Sequence, residues 1–518
     1  MNSLDPEIPN KRTASAENSL KAMAVRGLGW NYAGMVVRSG SSVIIGIVLA
    51  RLLGPAPFGI LAAAWLIVGL GNLVSDFGLG SALVQRPTLH RDDIRFSFSL
   101  QIIVGLILAG TVFAGAPLFS VFLRNRAAIP VMRVLSIIFM FQACGATAAA
   151  LLKRDLKFRQ LQLVSISSYL IAYLGIGVPM AVLGYGVWSL AAAQVLQSLF
   201  AACGYLTALR HSMVPRLLPA SAHIWTFSYR VLLTNIVNWL LSNVDNGLVS
   251  RYLGDIALGL YSRVFNFLWM PAWSVVSTAQ QVLFSAFARA HEEPTARIRS
   301  AFLAAFSLVC FSLPLYGTAA LIPETIVRAT LGTKWIGAIT TFVPLAVAMP
   351  FYSAMAISGA VINARNLVAK ELRIQLTTLT LGLPLIWAAA QFSVALVGWV
   401  VTVTYIIRFI VLTAMTIREV GARWTDVGRA ARPAVVVSCF TGACAVVVDQ
   451  LLKTTPASPE LRLGFVITAA TAAAILVLRF RSGVVLTPEL RAAWQYVATH
   501  YGQRNSPPGP QTVGRVSP

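Results

Sequence analysis

The sequence predicts an all-α protein that crosses a membrane about fourteen times, as two pseudo-symmetric lobes of six helices followed by two further helices. Three observations support this fold class. The 518 residues are 57% hydrophobic and only 11% charged, whereas a soluble domain carries about 25% charged residues. The hydrophobic residues form blocks of about twenty, which as helices are long enough to cross the hydrocarbon core. A twelve-residue segment also recurs 200 positions further along the chain.

Short polar segments separate the hydrophobic blocks, and we interpret each block as a transmembrane helix. The longest segment predicted to be an outer loop is PETIVRATLGTKWIGA, at 323–338. The blocks lie near 29–50, 57–83, 96–118, 129–152, 161–183, 187–209, 224–250, 256–282, 300–322, 338–361, 374–391, 394–416, 433–452 and 461–479.

The basic residues are distributed asymmetrically between the two predicted sides of the membrane. The chain has 41 Lys and Arg against 18 Asp and Glu, a formal net charge of +23. With the N-terminus inside, the inner segments hold about 28 of the basic residues and the outer segments about 8. This asymmetry follows the positive-inside rule and predicts that both termini are cytoplasmic. We therefore interpret the charge as membrane topology and attraction to anionic lipid, and predict no nucleic-acid partner.

The recurring segment reads ARLLGPAPFGIL at 50–61 and SRYLGDIALGLY at 250–261. In each copy Leu-Gly is predicted to end one helix, and a second Gly begins the next, because Gly permits a tight turn and close packing. The first six helices and the next six are therefore two versions of one unit. Such parallel repeats are typical of transporters that bind substrate between two lobes.

The repeat and the block pattern together define the predicted domains. These are a cytoplasmic N-terminal segment at 1–28, an N-lobe at 29–209, a cytoplasmic linker at 210–223, a C-lobe at 224–416, helices thirteen and fourteen at 433–479, and a cytoplasmic tail at 480–518.

Polar residues follow one face of several leading helices. An intramembrane charge costs about 2.5–3.5 kcal/mol, so it needs a polar neighbour or a wet cavity. Arg38 and Arg263 lie too far inside their blocks to be explained by snorkelling. We predict that these stripes line a shared, mildly cationic cavity for an anionic head group such as phosphate, pyrophosphate or an acidic sugar. Its predicted binding residues are Asn31, Arg38, Ser42, Asn235, Asn238, Ser242, Arg263 and Asn266. The alternative is that the uncharged ones only bond neighbouring helices together.

Two acidic residues within the blocks are candidates for ion coupling. Asp245 lies on the stripe of the seventh helix and Asp76 lies near the inner end of the second. Either carboxylate could accept a coupling proton or Na⁺, and pairing of Asp245 with an arginine is the alternative. The five cysteines and five histidines show no metal-ligand or redox spacing, so we predict no metal, no cofactor and no catalytic site.

Several segments resemble one family in the correct order. VLARLLGPAPFGILAAAWLIVGLGNLVSDFGLGSALVQR (48–86) resembles the opening helix pair, and LSNVDNGLVSRYLGDIALGLYSRVFNFLWMP (241–271) the start of the second lobe, of bacterial polysaccharide exporters. LKRDLKFRQLQLVSI (152–166), GYGVWSLAAAQVLQSL (184–199) and ATLGTKW (329–335) add to the match. These exporters belong to the multidrug/oligosaccharidyl-lipid/polysaccharide (MOP) superfamily, and the resemblance is to its colanic-acid-exporter type.

The resemblance implies a MATE- or flippase-like fold in the bacterial cytoplasmic membrane. It implies a transporter that flips oligosaccharide repeat units on polyprenyl pyrophosphate by alternating access, for lipopolysaccharide or exopolysaccharide synthesis. By position, Arg38 and Arg263 match the cationic residues that engage the pyrophosphate, and Asp245 falls in the Asp-Asn motif of the seventh helix. Asp76 stands where peptidoglycan-precursor flippases carry Arg, which argues against a peptidoglycan role. The polymerase and the cytoplasmic glycosyltransferases are candidate protein partners.

Three alternatives belong to other classes of function. A multidrug cation antiporter of the same superfamily should favour carboxylates in its cavity, and acidic residues are sparse here. An oligosaccharide polymerase or ligase should carry catalytic groups on a large outer loop. The longest predicted outer loop, 323–338, has Glu324 as its one acidic residue. A non-enzymatic membrane scaffold would have no reason to retain polar stripes. The sequence leaves open the sugar composition, the coupling ion and the oligomeric state.

Overall fold

The computed structural model describes residues 11–76, 83, 90–209, 222–287, 295–365 and 367–480. Most of the N-terminal segment's side chains, most of the linker and nearly all of the tail lie outside the described part of the chain. Side chains are also outside it within helices, at 11–28, 32, 76, 222–235, 278, 281–287, 295–297, 368 and 480.

Helices account for almost all of the described residues, and no strand occurs among them. The helices of the first half are α1 (Lys11–Leu53), α2 (Pro55–Asp76), α3 (Arg91–Leu123), α4 (Ala128–Leu135), α5 (Ile137–Arg154), α6 (Phe158–Ala172), α7 (Val178–Val182), α8 (Val187–Ala208) and α9 (Ala222–Phe287). Those of the second half are α10 (Thr295–Cys310), α11 (Ser312–Leu321), α12 (Pro323–Thr330), α13 (Ile339–Ala364), α14 (Val368–Ala390), α15 (Val394–Val420), α16 (Trp424–Lys453) and α17 (Pro459–Phe480). A π-helical turn, Tyr173–Gly177, joins α6 to α7, and a 3₁₀-helix, Thr333–Ala338, precedes α13.

The predicted all-α membrane fold is confirmed. By length and composition, 12 helical segments of the described chain can cross a membrane. They correspond to the predicted blocks one to six and nine to fourteen. The seventh and eighth blocks both fall within α9, which is interrupted at Gly254 by non-helical backbone (φ 79°, ψ −174°). The predicted outer loop at 323–338 is largely helical instead, since it contains α12 and the 3₁₀-helix.

The two glycines that the repeat places at helix ends adopt the same unusual conformation. Gly54 and Gly254 both have φ +79°, in the left-handed region that L-residues with a Cβ avoid. Gly54 donates its N–H to Ala50 O at 3.1 Å, which closes the last turn of α1. The prediction that Leu-Gly ends one helix in each copy is therefore confirmed in backbone geometry.

The second glycine of each copy lies at a backbone-to-backbone contact. A Cβ on Gly59 would overlap Asp255 O, and a Cβ on Gly259 would overlap Pro55 O. The contact is reciprocal, because Pro55 and Asp255 also hold equivalent positions in the two copies. The start of α2 therefore packs on the part of α9 that follows Gly254, at a distance that only glycine permits.

The chain divides into two compact units. Unit 1 comprises Met1–Arg263, Leu331–Gly337 and Ile386–Val397, and unit 2 comprises Val264–Thr330, Ala338–Leu385 and Gly398–Pro518. In unit 1, α3 packs on α5, α5 and α6 pack on α8, and α1 packs on α6. A Cβ at Gly105 of α3 would meet Ala143 Cβ at 2.7 Å and Phe139 O at 2.9 Å, so small residues bring α3 and α5 together.

Unit 2 has its own hydrophobic core, formed where α10, α13 and α16 pack together. Phe302 and Phe306 are fully buried, with ring centroids 5.8 Å apart, and Phe306 also stacks on Phe409 of α15 at 6.3 Å. In a membrane-spanning bundle the alternative environment is lipid, so these rings stabilise the unit by close van der Waals packing and not by removal from water. At its edge, Asp426 accepts hydrogen bonds from Arg299 at 2.6 Å and Arg429 at 3.1 Å.

Candidate functional site

Arg38 lies on α1 and reaches the neighbouring helix α6. Its Nη1 donates to Ser165 Oγ, and Ser165 is also hydrogen-bonded to Tyr205 of α8. Arg38 is exposed and makes no ion pair within the described part of the chain. Because a guanidinium carries five N–H donors, most of its hydrogen-bonding capacity remains for a ligand or water.

Arg263 lies on α9 and is held by apolar groups. Its Cζ is 5.1 Å from the ring centroid of Phe58, a cation–π contact, and its guanidinium packs against Gly46 of α1. Its Nε is buried and has no hydrogen-bond partner among the described residues. A buried cation that lacks a carboxylate partner is costly in a membrane-spanning helix.

A pair of tyrosines on α6 brings the two predicted arginines into one site. The rings of Tyr169 and Tyr173 are 4.6 Å apart, and each tyrosine interacts electrostatically with both Arg38 and Arg263. Tyr173 also begins the π-helical turn, a distortion that is frequent at functional sites. These four residues of unit 1 are grouped as the Arg–Tyr centre (Arg38, Arg263, Tyr169 and Tyr173), defined by the electrostatic influence of both arginines on both tyrosines.

A second row of hydrogen bonds supports this centre. Tyr173 is hydrogen-bonded to Gln194 of α8, and Trp65 of α2 donates its indole N–H to Gln194 Oε1 at 2.6 Å. Asn31, one of the predicted binding residues, accepts a hydrogen bond from Gln162 Nε2 at 2.7 Å. These contacts tie α6 to α1 and α8 to α2.

Two of the remaining predicted binding residues are hydrogen-bonded to their own helices. Ser42 Oγ donates to Ser39 O at 2.9 Å and Ser242 Oγ donates to Asn238 O at 2.9 Å; both hydroxyls thus bond the backbone of their own helix. Asn266 belongs to unit 2 and is exposed. The side chains of Asn235 and Asp76 lie outside the described part of the chain.

Asp245 is buried in unit 1, with 6% of its surface exposed. Its Oδ2 accepts the hydroxyl of Tyr261 at 2.5 Å, and its Oδ1 accepts the Asn246 N–H at 2.8 Å. Within the described chain it pairs with no arginine or lysine, unlike the pairing considered from the sequence. A buried carboxylate without a cation suits the binding of a proton or a cation.

A cavity of about 740 Å³ lies beside Arg38, entirely within unit 1. Its walls come from α1, α3, α5, α6 and α8, and from the segment between α5 and α6. Its polar lining comprises Arg38, Gln101, Gln142, Lys153, Ser165, Ser168, Gln197, Ser198 and Tyr205. Arg38 therefore belongs both to the Arg–Tyr centre and to this cavity.

Reading the leading helices alone missed the polar faces of α6 and α8. On α6, Gln162, Ser165, Tyr169 and Tyr173 are spaced i, i+3, i+7 and i+11, and this spacing places them on one face of the helix. Gln194, Gln197 and Tyr205 on α8 follow the same pattern. The signal was present in the sequence, but Tyr and Gln do not stand out from apolar surroundings as an arginine does. Among the described residues there is no group of three potential metal ligands.

Comparison with known proteins identifies the family. The family model described as "Polysaccharide biosynthesis protein" matches residues 48–340, which is more than half of the chain. The chain belongs to the polysaccharide biosynthesis protein family. The matched region includes the repeat, α6 with its tyrosines and the cavity, although Arg38 precedes it.

Curated relatives carry names from polysaccharide pathways. The lipopolysaccharide biosynthesis protein WzxC of Escherichia coli is 25% identical over 326 residues, covering 61% of this chain and 65% of that protein. The teichuronic acid biosynthesis protein TuaB of Bacillus subtilis is 26% identical, covering 66% and 71%. The succinoglycan biosynthesis transport protein ExoT of Rhizobium meliloti is 26% identical, covering 60% and 63%. The alignments thus span about two thirds of the length of these relatives.

Solved structures show the same fold at low sequence identity. The lipid II flippase MurJ, in an inward closed conformation, superposes with a TM-score of 0.69 at 13% identity, covering 88% of this chain and 99% of MurJ. An inward-facing multidrug resistance MATE transporter superposes with a TM-score of 0.59 at 15% identity, covering 75% and 98%. The expectation of a MOP-superfamily fold is confirmed, and the family member described here is a multi-pass protein of the cytoplasmic membrane.

Proposed function

We propose that this chain flips oligosaccharide repeat units, linked to polyprenyl pyrophosphate, across the cytoplasmic membrane by alternating access, for lipopolysaccharide or exopolysaccharide synthesis. One observation carries the proposal. Arg38 and Arg263 both lie within electrostatic range of one tyrosine pair inside membrane-spanning helices, and neither has a carboxylate partner within the described chain. A pyrophosphate supplies the missing anion, since arginine forms strong bidentate hydrogen bonds to phosphate groups.

The barrier to flipping is the transfer of a charged and hydroxyl-rich head group through hydrocarbon. Each unsatisfied polar group costs several kcal/mol there. A path lined by arginine, tyrosine, serine and glutamine side chains replaces water for the head group, while the polyprenyl chain stays in lipid. Names of relatives that act in polysaccharide synthesis support this class of cargo.

The direction of the path follows from the two ends of unit 1. At one end, the repeat copies meet at Gly59 and Gly259. Cavity residue Gln101 lies in the N-terminal half of α3, whereas Phe122, at the C-terminal end of α3, accepts a hydrogen bond through its carbonyl from Arg251. We therefore assign the cavity to the other end of unit 1. With both termini cytoplasmic, as the positive-inside rule predicts, the repeat contact closes the outer end and the cavity opens to the cytoplasm, where repeat units are assembled.

The proposal includes the lobes and partners predicted from the sequence. The lobes at 29–209 and 224–416 are the elements that would rock about the substrate. The chain itself carries out no covalent chemistry, which falls to the glycosyltransferases before flipping and to the polymerase after it. The basic inner segments and the polymerase-facing outer end are the surfaces that those enzymes would contact.

A deletion strain tests this function. Its lipids are extracted and examined by mass spectrometry for polyprenyl-pyrophosphate oligosaccharide, and its surface glycan is measured. We expect complete lipid-linked repeat units to accumulate while the polymer is lost, with both effects reversed by the intact gene. Unchanged glycan with no accumulated intermediate would contradict the proposal, and drug-efflux assays would then test the antiporter alternative.

A further inference from the structure

The cavity beside Arg38 differs chemically from the Arg–Tyr centre. It has a volume of about 740 Å³, within the range of about 300–1,000 Å³ that holds whole small molecules. Arg263, Tyr169 and Tyr173 are not among its lining residues. The cavity is therefore a separate compartment that shares only Arg38 with the centre.

The cavity is cationic. Arg38 and Lys153 line it, and no Asp or Glu is among its lining residues. Lys153 is exposed and makes no ion pair in the described part of the chain, whereas Lys157, one turn further on, pairs with Asp155 at 3.1 Å. An unpaired ammonium and an unpaired guanidinium facing one enclosed space attract a single anionic group.

The neutral lining of the cavity suits hydroxyl groups. Gln142 and Gln197 line it, and their amides have no hydrogen-bond partner among the described residues. Gln101 accepts from Thr147 Oγ1 at 2.8 Å through Oε1, which leaves its NH₂ group available. An amide both donates and accepts, so it can pair with a hydroxyl in either direction. A lipid chain would gain nothing from these groups and would leave them unsatisfied.

Aromatic rings complete the lining. Phe141, Phe158 and Tyr205 border the same space. A pyranose ring presents C–H groups on its faces and hydroxyls around its rim. Aromatic side chains can pack against the C–H faces, and amide side chains can form hydrogen bonds with the hydroxyl groups. The cavity lining thus combines amide groups, aromatic rings and two cations, and it includes no carboxylate. This lining matches a sugar that carries one acidic group or is attached to one.

We propose that this cavity binds a sugar residue of the head group, with an anionic group, either a sugar carboxylate or the adjoining phosphate, at Arg38 and Lys153. The inference rests on the proposed function. It assigns the sugar to the cavity formed by α3, α5, α6 and α8, and the rest of the pyrophosphate to the Arg–Tyr centre. Cargo selectivity then resides in Gln142, Gln197 and Lys153.

A cysteine in the cavity wall tests occupancy directly. Ala201 lines the cavity, so Ala201→Cys is introduced into a chain whose five native cysteines are replaced, and its labelling by an uncharged maleimide is followed in membrane vesicles. Leu163→Cys, an exposed position on α6 outside the cavity, is the control. The probes are lipid-linked oligosaccharide from a polymerase-deficient strain and sugar-free undecaprenyl pyrophosphate.

We expect the oligosaccharide lipid to slow labelling of Ala201→Cys about tenfold at about ten times its dissociation constant. The sugar-free lipid should slow it much less, and labelling of Leu163→Cys should not change. Equal protection by both lipids would overturn the sugar assignment, since the cavity would then hold the pyrophosphate. If neither lipid protects Ala201→Cys although the deletion strain accumulates repeat units, the inference is overturned and the proposed function still stands.

Variants of the lining provide the second readout. Lys153→Gln should raise the concentration of oligosaccharide lipid that half-protects Ala201→Cys about 10-fold or more, because a hydrogen bond to a charged group contributes about 1.5–3 kcal/mol. Gln142→Ala and Gln197→Ala should each raise it about 2- to 10-fold, because a neutral hydrogen bond contributes about 0.5–1.5 kcal/mol. The matched controls are Gln160→Ala and Lys157→Gln, which remove the same groups from exposed positions outside the cavity. Equal protection in all five variants would contradict the proposal.

Discussion

Single residues determine the charge of the transport path. Arg38 and Arg263 each cost about 2.5–3.5 kcal/mol in a membrane-spanning helix, and neither recovers this cost from a carboxylate in the described chain. For Arg263 the Phe58 ring offsets only part of it. We infer that the remainder is offset when substrate binds, which is why a path for an anionic head group retains two unpaired arginines.

Removal of either guanidinium should impair export. Arg38→Ala and Arg263→Ala should each reduce surface glycan about 10- to 100-fold, because a charge-assisted hydrogen bond contributes about 1.5–3 kcal/mol. Arg38→Lys and Arg263→Lys should retain part of the activity, since the charge remains but the fork geometry is lost. Glycan is measured per amount of protein in the membrane, determined by immunoblotting.

Arg133→Ala is the matched control for these variants. Arg133 is also in unit 1, but its Cζ lies over the Phe113 ring at 5.2 Å, remote in sequence from the tyrosine pair. We expect near-normal glycan from this variant. Normal surface glycan from the Arg38→Ala/Arg263→Ala double variant would contradict the proposal that these two arginines bind the anionic head group.

Asp245 is the buried carboxylate that we propose for ion coupling. Asp245→Asn should weaken the dependence of export on the proton or Na⁺ gradient, because an amide neither binds a proton nor attracts a cation. Tyr261→Phe, which removes the 2.5 Å hydrogen bond but keeps the carboxylate, should retain that dependence while lowering stability by about 1–2 kcal/mol. Export is measured with each gradient collapsed by an ionophore, and unchanged gradient dependence in Asp245→Asn would make the residue a structural partner of Tyr261 only.

At the scale of elements, the sequence was most informative where a backbone requirement has a residue signature. Gly54, Gly59, Gly254 and Gly259 were predicted to turn or to pack closely, and each does so. Hydrophobic blocks located the spans equally well, because length and apolarity alone define them. The polar faces of α6 and α8 were missed because their importance depends on which helix packs against α1, and tertiary packing of this kind cannot be read from the spacing of one helix.

The predicted outer loop at 323–338 illustrates the same limit. Pro323 at the first position and Glu324 in the first turn favour the start of α12. The polarity of the segment nevertheless suggested a loop. Trp335 in the following 3₁₀-helix is fully buried in unit 1, where its indole N–H donates to Ala50 O at 2.9 Å and its ring packs on Phe58 at 5.5 Å. A short polar segment is ordered here by one buried tryptophan.

The reciprocal glycine contact between the repeat copies should not tolerate a side chain. Gly59→Ala and Gly259→Ala place a Cβ against a backbone oxygen, so each should lower the midpoint of thermal unfolding and reduce export. Gly110→Ala on α3 is the matched control, because a Cβ there meets nothing within 4 Å. It should raise stability by about 0.5–1 kcal/mol, as expected when Ala replaces Gly within a helix.

Thermal unfolding of the purified variants and surface glycan in the complemented deletion strain are the two measurements. Normal unfolding and normal export in both Gly59→Ala and Gly259→Ala would show that the two copies need not approach so closely. Loss of export with normal unfolding would assign the contact to the transport cycle.

At the scale of the whole molecule, the fold, the predicted orientation and the proposed cargo have to be consistent with one another. The fold is that of MurJ and MATE transporters, and such folds serve several cargoes, so the fold alone does not choose among them. The choice rests on chemistry: two unpaired arginines, a carboxylate-free cavity with free amides, and a contact of the repeat copies at the opposite end of unit 1. With the basic segments inside, as the positive-inside rule predicts, we propose that this arrangement accepts an anionic, sugar-bearing lipid from the cytoplasmic side.

The most direct test is to determine the leaflet in which the lipid-linked repeat unit resides. In a polymerase-deficient strain, intact spheroplasts are treated with membrane-impermeant periodate, which cleaves the vicinal diols of sugars, and the extracted lipid is examined by mass spectrometry. With the chain present, we predict that the sugars are oxidised from outside. Without it, or with the Arg38→Ala/Arg263→Ala variant, they should be protected until the membrane is permeabilised. Equal oxidation with and without the chain would contradict the claim that it flips this lipid.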